Sequence, residues 1–179
     1  MFFGGQIGAF CGIYREETLD AKTMKLPEHT VHRASLNEIE EAFDLVTEYY
    51  EEVGVVARED RAEFDEQYFA EGSGVWMAVV EGETVGCVAL RKMVNQADCG
   101  EIKLMYVRSS HRGKNIAVSL LGALDEYAVG CGYEWLYLDT TDSMVAAARF
   151  YERSGYQRCE RYNDNPQATM FMRKWIGAS

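Results

Sequence analysis

The amino-acid sequence predicts an α/β fold in which a mixed, partly antiparallel central sheet carries helices on both faces. Three observations predict it. Extended and helical patterns interleave along the chain in the order β-α-α-β-β-β-α-β-α-β-β. The triplet Glu81-Gly82-Glu83 joins two apolar runs as a hairpin turn, so part of the sheet is antiparallel. A strand, a glycine-containing loop, a long helix and another strand follow one another over residues 101–140, and the rest of the chain is organised around them.

Residues 1–28 read as an N-terminal extension and linker, and residues 29–179 as a single domain. The first fifteen residues are apolar and glycine-rich, but lack the basic leader and small-residue cleavage site of a signal peptide. An added strand, a dimer contact and a tail are all open readings for them. A first short strand is predicted at 30–34. Ser35 then stands three residues before Glu38, the capping-box spacing, and opens a helix over 36–53. Ile39, Phe43, Val46 and Tyr50 form its apolar stripe and Gly54 closes it. A second helix over 59–71 carries Phe64, Tyr68 and Phe69. Strands follow at 75–80 and 84–93, then a polar turn at 95–98. In the strand at 101–107, strict alternation puts Glu101, Lys103, Met105 and Val107 on one face and Ile102, Leu104 and Tyr106 on the other. After the loop Arg112-Gly113-Lys114-Asn115, the spacing of Ala117, Leu120, Leu121, Leu124 and Ala128 predicts a helix, stopped by Gly130 and Gly132. A strand at 133–139 and two closing strands at 156–161 and 168–175, around the turn Asn163-Asp164-Asn165-Pro166, complete the pattern.

At 179 residues and 47% hydrophobic content the chain buries a real core. A net charge of −11 argues against a nucleic-acid binder and suits a cationic substrate such as an amine, though a solvated acidic surface gives the same balance. Five cysteines, odd in number and without a CxxC pair, favour reduced thiols and a cytoplasmic setting. The three histidines make no metal-ligand pattern with them, so no metal is expected. No apolar run has the length of a membrane span, so no membrane partner is expected either.

The loop matters chemically. Amides at the start of a helix have no intrahelical partners and point along the positive end of its dipole, a ready site for a diphosphate. Lys103, Arg108, His111, Arg112 and Lys114 surround it in an otherwise acidic chain.

These residues resemble the acetyl-coenzyme A binding core of the GNAT superfamily of N-acetyltransferases, whose loop follows Q/R-x-x-G-x-G/A. Here Arg112 and Ala117 match, and Asn115 stands where glycine is usual. Asn tolerates a left-handed backbone better than other side chains. Downstream, Met144 to Tyr156 looks like the family's M-x-x-A-x-x-L-Y-x-x-x-G-F signature. The resemblance implies acetyl-CoA as cosubstrate, held by Met105, Tyr106 and Val107 of the strand and by Arg112, Gly113, Lys114, Asn115, Ile116 and Ala117 of the loop and helix. It puts the Met105 amide on the thioester carbonyl and the Val107 backbone along the pantetheine arm. It makes Glu101 the general base and Tyr151 the proton donor to the departing sulfur. Met144 stands where many relatives carry a side-chain amide. The first-helix region, with acids and tyrosines from 48 to 60, would help form the acceptor side. The expected activity is direct transfer of an acetyl group to a primary amine of a small molecule, in a possible homodimer. A protein or peptide N-acetyltransferase, or a degenerate acyl-CoA-binding module without turnover, are the alternatives.

Overall fold

The structure is a computed structural model that describes residues 28–177 apart from 57, 94, 95 and 97. The N-terminal extension up to 27 and part of the turn predicted at 95–98 lie outside the described residues. Along the chain run β1 (His29–Arg33), α1 (Ile39–Val53), α2 (Arg61–Tyr68), β2 (Gly74–Val80), β3 (Glu83–Lys92), β4 (Cys99–Val107), α3 (Ile116–Gly130), β5 (Trp135–Thr140), α4 (Val145–Arg153), β6 (Gln157–Arg158) and β7 (Met170–Trp175). The strands form one sheet in the order β1-β2-β3-β4-β5-β7-β6. The pair β4–β5 is parallel and its other neighbours are antiparallel.

Local chemistry explains where the elements start. The Ser35 amide and hydroxyl both donate to the Glu38 carboxylate, at 2.8 and 2.6 Å. These bonds, with His32, hold the Glu38 pKa down to about 2. The predicted helix begins there as a single 3-10 turn, Leu36–Glu38, before α1 proper. Gly54 closes α1 at φ 73°. The second helix starts at Arg61 rather than 59 because Asp60 caps it: its carboxylate accepts the Glu63 amide (3.0 Å), and Glu63 accepts the Asp60 amide (2.9 Å). It ends at Tyr68, short of the predicted 71. The predicted strand at 156–161 shrinks to Gln157–Arg158. Beyond it, Arg161 donates to the carbonyls of Asn163, Asn165 and Ala168, so this backbone is satisfied as a loop.

Helices cover both faces. Leu45, Val46 and Tyr50 of α1 and Phe64 and Tyr68 of α2 pack on Met77, Cys87 and Ala89. On the other face Leu120, Leu121 and Leu124 of α3 and Ala148 of α4 pack on Val88, Leu90 and Leu138. One feature of β4 departs from strict alternation. Opposite the single residue Val88, between Cys87↔Tyr106 and Ala89↔Lys103, β4 carries two residues, Leu104 and Met105, and Leu104 sits at φ 57°. This is a β-bulge. It resets the faces: Leu104 and Tyr106 pack under α1 and α2, while Ile102, Met105 and Val107 pack toward α3 and α4. The expectation that Ile102 shares a face with Leu104 and Tyr106 is therefore corrected.

Candidate active site

Pairing between β4 and β5 runs only from Cys99↔Trp135 to Ile102↔Leu138. Past that point the strands part, and a cavity of about 1040 Å³ lies between them. Of the residues singled out from sequence, Met105, Val107, Arg112, Gly113, Asn115, Ile116, Ala117 and Tyr151 line it; Glu101, Tyr106 and Lys114 do not.

At one end stands the start of α3. Gly113 and Asn115 both take positive φ, 77° and 62°. The left-handed turn thus survives with Asn at its second position, and the first-turn amides of α3 face the cavity end. The surrounding basic residues are mostly engaged. Arg112 donates through Nε to the Val107 carbonyl at 2.8 Å and through Nη2 to Glu52, which also accepts the Tyr106 hydroxyl at 2.8 Å. Arg108 is paired with Glu48 and Glu83. Lys103 belongs to a different cluster, so the five basic residues grouped by sequence do not act as one patch. His111 and Lys114 form no ion pair among the described residues.

At the other end lies that cluster. Glu101 is 3% exposed. Its Oε2 accepts Arg91 (Nε 2.7 Å, Nη2 2.6 Å), and its Oε1 accepts Lys103, the Tyr162 hydroxyl and Asn163 Nδ2, each at 3.0 Å. Burial pushes the Glu101 carboxyl up, but Lys103 and Arg91 outweigh it and hold it below its ordinary value. Asp139 accepts Lys103 (2.8 Å), Asn163 (2.5 Å) and Asn165 (3.1 Å), and is likewise held low against its burial. Arg91, Lys103, Asp139 and Asn163 all line the cavity, with Glu101 behind them.

Three tyrosines, Tyr49, Tyr50 and Tyr151, line the same space. Tyr151 is 6% exposed and stands between the rings of Phe150 and Tyr156, at 5.2 and 5.5 Å. Its hydroxyl lines the cavity without a hydrogen-bond partner among the described residues, and burial raises its pKa, so it keeps its proton at neutral pH. Burial, with Asp139 adding to it, pushes Tyr49 up to about 12. Glu59, also at this end, accepts the hydroxyls of Tyr50 and Tyr68. Gln167 ties the loop after β6 to the end of α1: its Oε1 accepts the Val56 amide at 2.8 Å and its Nε2 donates to the Gly54 carbonyl at 3.4 Å.

Sequence reading missed Arg91, Asp139 and Gln167 as parts of this site, and grouped Lys103 with the loop cations instead of with Glu101 and Asp139. The tyrosine- and acid-rich stretch near Glu59 and the Asn163-Asp164-Asn165-Pro166 turn were visible signals. Arg91 gave none, because β3 carries it to Glu101 and Lys103 only through strand register.

Comparison with known proteins adds to this geometry. The family model described as Acetyltransferase (GNAT) family matches residues 39–156. An uncharacterised N-acetyltransferase of Schizosaccharomyces pombe is 35% identical over 85 residues, 48% of this chain and 52% of the relative. The N-acetylaspartate synthetase of Xenopus tropicalis is 37% identical over 102 residues, 56% of this chain and 37% of the relative. The match thus spans about half or less of these relatives' length. A solved acetyltransferase of the GNAT family from Staphylococcus aureus shares the fold, with a TM-score of 0.72 and 17% identity over 83% of this chain and 99% of that one.

Proposed function

The chain belongs to the acetyltransferase (GNAT) family, and on that premise we propose that it moves the acetyl group of acetyl-CoA directly to a primary amine of a small molecule. The observation that carries this reading is the unpartnered Tyr151 hydroxyl on the cavity that Met105 and the start of α3 also line. Acetyl transfer needs a donor to the developing oxyanion and a proton for the departing thiolate. In our reading the Met105 amide serves the first need and Tyr151 the second. The first-turn amides from Gly113 to Ala117 hold the diphosphate, with Arg112 and Lys114 beside them, and Tyr106 and Val107 align the strand along the pantetheine arm.

An ammonium must lose a proton before it attacks. Glu101 is our candidate to receive it through water, at the inner end of the path formed by Lys103 and Asn163. A carboxylate held low by two cations is a weak base, so its role is relay and positioning rather than contact. A small acceptor is supported by the Gln167 strap across the inner end and by the relative named for making N-acetylaspartate.

We take residues 29–179 as the catalytic unit and a homodimer as its assembly; Trp175, 45% exposed and packed edge-to-face against Trp135, supports a self-contact, and light scattering checks it. A cytoplasmic setting is supported by four free thiols among the described residues. No helix among them is long and apolar enough to cross a membrane. Calorimetry with acetyl-CoA, then thiol release across an amine panel, tests the whole reading. Saturable binding with turnover is expected; binding without turnover favours a non-catalytic module, and turnover of peptides alone favours a protein acetyltransferase.

A further inference from the structure

Within the cluster of Arg91, Glu101, Lys103, Asp139 and Asn163 the spare hydrogen-bonding capacity belongs mostly to donors. Arg91 has five N–H groups. Two go to Glu101 Oε2 and one from Nη1 goes to Gln67 at 2.6 Å. Two more have no partner among the described residues. Lys103 gives one proton to Asp139 and one to Glu101, which leaves a third. Both cations line the cavity, with side chains 30% and 17% exposed. The nearby acceptors are taken: Glu101 receives Arg91, Lys103, Tyr162 and Asn163, and Asp139 receives Lys103, Asn163 and Asn165.

Charge agrees with this inventory. Arg91 and Lys103 face Glu101 and Asp139, so this cluster by itself is neutral, yet it presents free N–H groups of charged donors; Glu59 and Asp164 add negative charge elsewhere on the lining. A polyamine would bring only positive charge and more donors. Glu59 already accepts two phenols, and Asp164 sits exposed on the rim. A zwitterion adds no net charge and supplies an acceptor for those N–H groups, and charge-assisted bonds from guanidinium to carboxylate are among the strong ones.

We propose that the acceptor is a small amino-acid-type amine, whose carboxylate takes the free N–H groups of Arg91 and Lys103 while its amine faces Met105 and Tyr151. Lys103 and Met105 both line the cavity, on either side of the bulge at Leu104, so the carboxylate site and the amine site share one strand. This rests on the acetyltransferase reading and narrows it.

The test is thiol release by the wild-type protein with acetyl-CoA and the common amino acids, each beside its own α-amide, with ethylamine and spermidine included. At least one amino acid should exceed its amide by about tenfold or more in kcat/KM. Arg91→Gln should raise KM for that amino acid about tenfold, leave KM for acetyl-CoA unchanged, and shrink the preference over the amide. Equal or better use of amides, ethylamine or spermidine overturns the inference and leaves the transferase reading standing. Acetyl-CoA binding with no turnover of any amine overturns both. If Arg91→Gln does not fold, the wild-type ratio between acid and amide decides alone.

Discussion

The Tyr151 hydroxyl has no partner among the described residues and, unlike that of Tyr156, is not sealed from solvent, so it is free to bond what enters the cavity. Tyr151→Phe removes only that hydroxyl and keeps the ring between Phe150 and Tyr156. It should lower kcat about 100-fold with little change in KM for acetyl-CoA, read by thiol release; an unchanged kcat removes Tyr151 from the mechanism. Glu101 makes a different prediction, about stability. Its folded pKa is depressed, so its contribution is complete above the unfolded value of about 4.3 and is lost as pH falls through the folded one. Removing the carboxylate leaves Arg91 and Lys103 short of a partner, so Glu101→Gln should cost about 3 kcal/mol at neutral pH. That gap to wild type, followed by denaturant melts, should begin to narrow as pH falls below about 4.3 and close as it passes the lower folded value. Tyr151 and Glu101 were both legible in the sequence, through motif position. The ion pairs that decide what Glu101 can do were not, since Arg91 reaches it across a strand pair.

At the level of elements, the turn into α3 and the strap over the inner end carry the argument. Asn115 holds φ 62°, where a Cβ is strained and a short amide side chain is tolerated. Asn115→Gly should leave stability nearly unchanged. Asn115→Ala should cost about 1 kcal/mol and weaken acetyl-CoA binding, both measurable by melts and calorimetry. Gln167→Ala cuts both bonds of the strap. Hydrogen exchange at the Val56 amide should quicken, and KM should rise for the acceptor but not for acetyl-CoA. The helices of this fold were legible in periodicity and caps, and the turn in its glycine and asparagine. The bulge at Leu104 was not, because a buried Leu in a left-handed conformation leaves no mark in a hydrophobic pattern; tertiary packing imposes it.

Across the whole molecule, the cavity exists because β4 and β5 share only their first residues, with α3 filling the gap at one end and the loop after β6 at the other. A ligand that bridges these parts should stabilise all of them together. Acetyl-CoA at a hundred times its Kd contributes about 2.7 kcal/mol, which for a chain of this size raises Tm by roughly 5 to 10 °C; no shift at saturating concentration would mean the cavity does not take it. The order of elements, the left-handed entry to α3 and the identity of the loop and tyrosine motifs were determined by the sequence alone, since each depends on residues within a few positions of one another. The neutral cluster of Arg91, Glu101, Lys103, Asp139 and Asn163 was decided only by the tertiary structure. Its members come from three strands and a distant loop, which only the register of the sheet and the return of that loop bring together.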